Sequence, residues 1–176
     1  VLHAGDRVLV EGPSGGGKTT LASLLSGARR PSAGSLRVLG LDQHTIETDD
    51  LRRAVASAPQ FYRNHVFAES LAFTLLLSRP WPPTQAALVE AREVCEAVGL
   101  GPLLSRMPAG LYQHVGETGW QLSHGEKSRV YLARTLLQRA EIVLLDETFG
   151  ARDPDTLFRC MSVVEKRART LVVITH

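Results

Sequence analysis

The chain has 176 residues, 44% of them hydrophobic and 22% charged, with a formal net charge of +2. That is the composition of one ordinary globular domain with enough apolar surface for a core, and its near-balanced charge gives no electrostatic basis for a nucleic-acid partner. No apolar run approaches the roughly 18 residues that a bilayer-spanning helix needs, and the two distant cysteines, Cys95 and Cys160, offer neither a disulfide framework nor metal-ligand spacing.

Arg7-Val8-Leu9-Val10 alternates and reads as a strand. It runs into Gly12-Pro13-Ser14-Gly15-Gly16-Gly17-Lys18-Thr19, which has the spacing G-x-x-x-x-G-K-[ST]. Leu21-Ala22-Ser23-Leu24-Leu25 then reads as the opening of a helix. Strand, glycine-rich turn and helix is the context of a phosphate-binding loop. Glycines at 12, 15, 16 and 17 are expected to take positive φ and bring the backbone close to a ligand. Successive N–H groups and the helix amino end then make an anion site, with Thr20 closing the set. Lys18 is expected to reach the β- and γ-phosphates, and the Thr19 hydroxyl to ligate Mg²⁺. The alternative, a glycine-rich turn with an incidental lysine, does not explain the flanks.

Ser35 to Val38 and Ala54 to Ser57 read as short strands. Ser70 to Leu77 and Thr84 to Val98 read as helices, the second with Thr84 as N-cap after Pro82-Pro83. Leu88, Ala91, Cys95 and Val98 follow helical spacing and mark a core face. Pro80 to Pro83 is a loop in which Trp81 acts as a packing lid. Gly99 to Gly119 is punctuated by glycine and proline and reads as loops with short helical turns. Gly125 to Gln138 is a helix, Ile142 to Leu145 a buried parallel strand, Asp155 to Arg167 a helix with Pro154 near its first turn, and Leu171 to Ile174 the last strand. The expected fold is α/β: a mostly parallel P-loop sheet flanked by helices, with an inserted helical lobe. Residues 1–60 and 125–176 would form the nucleotide-binding core lobe and residues 61–124 the insert. The ends, Val1 without a methionine and His176 directly after a strand, read as a piece of a longer polypeptide.

Four further elements follow the phosphate loop in one order. Gln60 ends a strand region, Leu122-Ser123-His124-Gly125-Glu126 opens a helix, Ile142-Val143-Leu144-Leu145-Asp146-Glu147 is an apolar strand ending in two acids, and His176 follows the last strand. This ordered set resembles the ATP-binding domain of ATP-binding cassette (ABC) transporters over nearly the whole chain. Pro108-Ala109-Gly110-Leu111 and Val115-Gly116-Glu117-Thr118-Gly119 resemble the exporter branch.

The resemblance implies ATP and Mg²⁺ as ligands. It implies Asp146 and Gln60 as Mg²⁺ contacts beside Thr19, Glu147 as the group that orients or deprotonates the attacking water, and His176 as a γ-phosphate contact. It implies that Ser123 and Gly125 act in trans, on ATP held by a second domain in a head-to-tail dimer. Membrane domains, in the same polypeptide, would move the substrate from a position where this domain lies on the cytosolic face. Two departures stand out. His124 and Glu126 replace a glycine and a glutamine of the usual Leu-Ser-Gly-Gly-Gln signature, and Glu126 places an acid near an anion. Thr148 to Arg152 replaces the common run before Asp153, which is retained. The adenine-stacking aromatic is expected upstream of Gly12. Two other readings remain open here: a soluble ABC ATPase of DNA repair or translation, and a regulatory cassette that hydrolyses weakly.

Overall fold

The computed structural model describes residues 1–58, 66–146 and 153–175. Among these, the strands β1 (Arg7–Val10), β4 (Val55–Ala58), β5 (Ile142–Asp146) and β6 (Thr170–Ile174) form one all-parallel sheet in the order β1-β6-β5-β4. The aliphatic run of β5 is that of a strand covered on both faces. Alternate residues confirm it: Leu144, with Val172 and Ile174 of β6, meets Ala22 of helix α1 (Lys18–Leu25), while Val143, Leu145 and Leu171 enter the main core. Period-two alternation thus divides one sheet between two helical layers.

The main core is built by α3 (Leu71–Leu75), α4 (Gln85–Ala97), α5 (Gly101–Arg106), α6 (His124–Leu137) and α7 (Pro154–Arg167) against the sheet. Caps set the starts. The Ser70 hydroxyl accepts from Phe73 N–H at 3.1 Å and the Thr84 hydroxyl from Ala87 N–H at 3.2 Å, each satisfying a donor that a helix start leaves orphaned. On α4, Ala91 and Cys95 are fully buried, as is Val98 just beyond it, while Leu88 is only partly covered. Both thiols are free and buried, and burial pushes Cys95 up to about 12. Trp81 sits edge-on to Phe73, with ring centroids 5.4 Å apart, but half of it remains exposed, so it covers one aromatic rather than closing the core.

Residues 35–58 differ from expectation. The strand is short, β2 (Arg37–Val38), and it pairs antiparallel with β3 (Leu41–Asp42). A helix, α2 (Thr48–Ala54), then runs directly into β4, which starts one residue later than expected. Asp49 and Asp50 lie in its first turn and Arg52 and Arg53 in its last, the order that suits a helix dipole, and each arginine meets an aspartate three residues back.

One polar clasp ties the helices together. Glu90 of α4 accepts from Arg79 at 2.7 Å and from Arg139 at 2.8 and 3.0 Å, and Arg79 also donates to the Leu137 carbonyl that ends α6. Burial alone would raise the Glu90 carboxyl, but the two guanidiniums outweigh it and hold it below the usual carboxylate range. A depressed carboxyl stabilises the fold above its unfolded pKa, and that contribution is lost as pH falls through the folded value. Thermal unfolding is therefore expected at lower temperature as pH drops from the ordinary carboxylate range downward, and Glu90→Gln should flatten part of that slope. An unchanged acid slope in the variant would remove Glu90 from this role.

Candidate functional site

The site is organised by the carboxyl edge of the sheet, where open α/β sheets bind ligands. Val10, Ile174 and Asp146 are level in register, the first two paired across β1 and β6 and the last two across β5 and β6. Strand spacing puts β1 and β5 roughly 10 Å apart with β6 between them. The glycine-rich loop leaves β1 at this edge and Asp146 ends β5 beside it, 4% exposed. The aliphatic residues of β5 carry the acid to the edge, which is the sequence signal that located it.

The loop is shaped for an anion. Gly15 and Gly17 have φ of +80° and +83°, where a side chain would be strained. Gly16 and Gly12 do not take positive φ, which corrects the expectation for those two positions. Gly16 is favoured by tight space instead: the Pro13 carbonyl accepts from Gly16 N–H at 3.1 Å, and a Cβ there would lie 3.0 Å from that oxygen. At Gly12 a Cβ would make only an ordinary 4.0 Å contact with Lys18. Gly17 caps α1 in the left-handed conformation with no side-chain hydrogen bond, and no acid stands in the first turn. The positive end of the α1 dipole is thus uncancelled. Lys18 is buried at 8% exposure, and its ammonium donates to the Gly12 carbonyl at 2.6 Å and the Pro13 carbonyl at 3.0 Å. Its charge therefore lies inside the loop. Thr19 is half-buried behind it, and Pro13, Ser14 and Thr20 are exposed. A cradle whose backbone takes left-handed φ at Gly15 and Gly17, a helix amino end and a buried ammonium fit a phosphate chain, and a hydroxyl with a buried carboxylate fits a hard divalent cation.

The second constellation is the start of α6. The helix begins at His124, one residue before the expected Gly125, with Ser123 as N-cap. Ser123 and Glu126 form a capping box: the Ser123 hydroxyl accepts from Glu126 N–H at 3.3 Å, and Glu126 Oε2 accepts from Ser123 N–H at 2.8 Å. His124 is exposed, and Leu122 is buried beneath the turn. Ahead of it, the Gly116–Gly119 loop is stitched down by Gln121, whose amide donates to the carbonyls of Gly116 at 2.9 Å and Glu117 at 3.2 Å. A Cβ on Gly119 would lie 2.6 Å from the His114 carbonyl oxygen, which is backbone and cannot yield. Gly119→Ala is expected to destabilise the fold by about 2 kcal/mol, read as a lowered melting temperature, since overpacking costs about 1–3 kcal/mol; unchanged melting would sink that account.

Asp153 caps α7, accepting from the Thr156 hydroxyl at 2.5 Å, Thr156 N–H at 3.0 Å and Asp155 N–H at 3.4 Å, and these bonds, the hydroxyl's first, hold its carboxyl below the usual range. Three expected site residues, Gln60, Glu147 and His176, lie outside the described residues. In the chain they stand two residues after Ala58, one after Asp146 and two after Ile174. The pairing of Glu126 with Arg106, on α5, was not foreseen; no local spacing joins residues 20 apart.

A parallel sheet whose first strand feeds a glycine-rich loop and helix, with a buried acid ending a strand at the same edge, defines a P-loop nucleotide-binding domain. The family model described as "ABC transporter" matches residues 1–150. The chain belongs to the ABC transporter family. It is 33% identical over its whole length to the mycobactin import ATP-binding/permease protein IrtB of Mycolicibacterium smegmatis, of which it covers 30%. It is 33% identical over 99% of its length to the ATP-dependent lipid A-core flippase of Neisseria meningitidis, covering 28% of that protein. A solved bacterial Atm1-family ABC exporter with ATP bound superposes with a TM-score of 0.85 at 32% identity, over 99% of this chain and 30% of that one. The chain thus spans less than a third of the length of these relatives.

Proposed function

We propose that this domain binds ATP with Mg²⁺ and hydrolyses it as one half of a head-to-tail pair of ABC domains, powering export of a substrate through membrane helices elsewhere in the same polypeptide. The observation that carries the reading is the shared carboxyl edge, which puts the glycine loop, Lys18 and Asp146 together. Backbone N–H groups of residues 12–20, Pro13 excepted, would receive the phosphates, and Lys18 would turn from the Gly12 and Pro13 carbonyls to phosphate oxygens. Thr19, Asp146 and Gln60 would hold Mg²⁺, which supplies charge neutralisation at the β- and γ-oxygens. Glu147 would accept the proton of the attacking water, His176 would contact the γ-phosphate, and Ser123 with Gly125 would complete the site of the other domain. The division into a core lobe of residues 1–60 and 125–176 and a helical lobe of 61–124 belongs to this reading.

None of the described helices is long and apolar enough to cross a membrane. Relatives whose names join ATP binding to a permease or to lipid flipping support the transport step, and in this reading the domain would lie on the cytosolic face. Export rests on the flippase, on a glucan export protein of Rhizobium meliloti and on the solved exporter. The import protein is equally similar, so direction is a property of the membrane part. Nothing among these relatives favours a soluble repair or translation ATPase. Phosphate release by the purified full-length protein tests the proposal: Mg²⁺-dependent hydrolysis of ATP is expected, and ATP binding without release would leave the regulatory cassette as the better reading.

A further inference from the structure

The helix that opens at Ser123 carries an acid where the family signature has glutamine, and the fold answers that acid from another element. Glu126 is the third residue of α6, and its side chain is only 13% exposed. Oε2 takes the Ser123 N–H at 2.8 Å, and Oε1 takes Arg106 Nη2 at 2.5 Å. Arg106 is the last residue of α5, 58% exposed, and reaches over the carboxylate from outside. Burial alone would raise the Glu126 carboxyl, but hydrogen bonds from Ser123 and the Arg106 guanidinium outweigh it and hold it below the usual range. Glu126 is therefore an anion at neutral pH.

An uncompensated anion there matters for the reaction. A helix amino end offers about half a positive charge; a full negative charge in its first turn reverses the sign of the field that a phosphate meets. A glutamine could accept the same Ser123 N–H without that charge and would need no arginine. We propose that Arg106 is a positioning residue for the ATP-driven step: by neutralising Glu126, it keeps Ser123 and the amino end of α6 attractive to the triphosphate held by a second ABC domain. The inference rests on the trans role of Ser123 given above.

The test is a double-mutant cycle in the full-length protein, with KM for ATP and kcat measured for the unaltered protein, R106Q, E126Q and R106Q/E126Q. Arg106→Gln is expected to raise KM roughly 5- to 20-fold, the range for losing a charged hydrogen bond in a part-exposed pair. In the Glu126→Gln background the same change should shift KM less than about twofold, because no acid remains to neutralise. Arg106→Lys keeps the charge and should stay within about threefold of the unaltered protein. A purely structural clasp would lower the melting temperature and leave KM in place. Equal shifts in both backgrounds, no shift in R106Q, or a lysine variant as impaired as the glutamine one would each overturn the proposal. Absence of hydrolysis in the unaltered protein would instead overturn the ATPase reading beneath it.

Discussion

Lys18→Ala is expected to reduce ATP hydrolysis by roughly 10²–10³-fold, the scale of losing one preorganised electrostatic contact to a transition state. The argument rests on where the ammonium stands. It is nearly buried, and it donates to the Gly12 and Pro13 carbonyls of the loop itself. A charge already inside the loop stands close to where phosphate oxygens would bind, and in a site that excludes water its attraction is far stronger than at a surface. Alanine removes that charge and also leaves two carbonyls without their donor, a structural cost of about 1 kcal/mol. The two effects separate in the measurement. Phosphate release at saturating ATP reports the first, and the melting temperature without nucleotide reports the second. A variant that retains a tenth or more of the activity would show that the N–H groups of the loop and the α1 dipole suffice.

The shape of the glycine loop was legible because its physics is local. Gly15 and Gly17 sit where the backbone must turn left-handed, and Lys18 follows at fixed spacing. Asp146 stood out because four aliphatic residues in a row mark a covered strand that it ends, and its role there came from the resemblance to the ABC family. Thr84 and the apolar face of α4 were read the same way, from spacing within a single helix. What escaped was set by distance or by packing. Gly16 is favoured by the closeness of the Pro13 oxygen rather than by its own φ. Helix α2 buries only Leu51, so no apolar stripe announced it, although its acids and arginines stand in helical order. Arg106 reaches Glu126 across 20 residues, and Arg79 holds Glu90 and the end of α6 together from a loop. Such long-range pairs are decided by how helices pack, and single-sequence spacing carries no trace of them.

Glu147→Gln is expected to lower turnover by roughly 10²–10⁴-fold, the usual range for removing a general base, while leaving ATP binding intact. The residue follows Asp146 directly, and Asp146 is fixed by register with Val10 and Ile174 at the edge where the phosphate loop begins. The two acids should therefore fail differently. Asp146→Asn would remove a proposed cation ligand, so its defect should ease as Mg²⁺ is raised, whereas the Glu147→Gln defect should not respond to Mg²⁺ at any concentration. The comparison also bears on the signature. If His124 and Glu126 already made the second half-site ineffective, hydrolysis would be slow before any substitution, and Glu147→Gln would take little away. A large drop from a substantial rate requires both half-sites to work, and so requires the amino end of α6 to remain attractive to phosphate despite its acid. Turnover and Mg²⁺ dependence of these two variants, measured in the full-length protein, thus test the base, the cation site and the charge balance at Ser123 together.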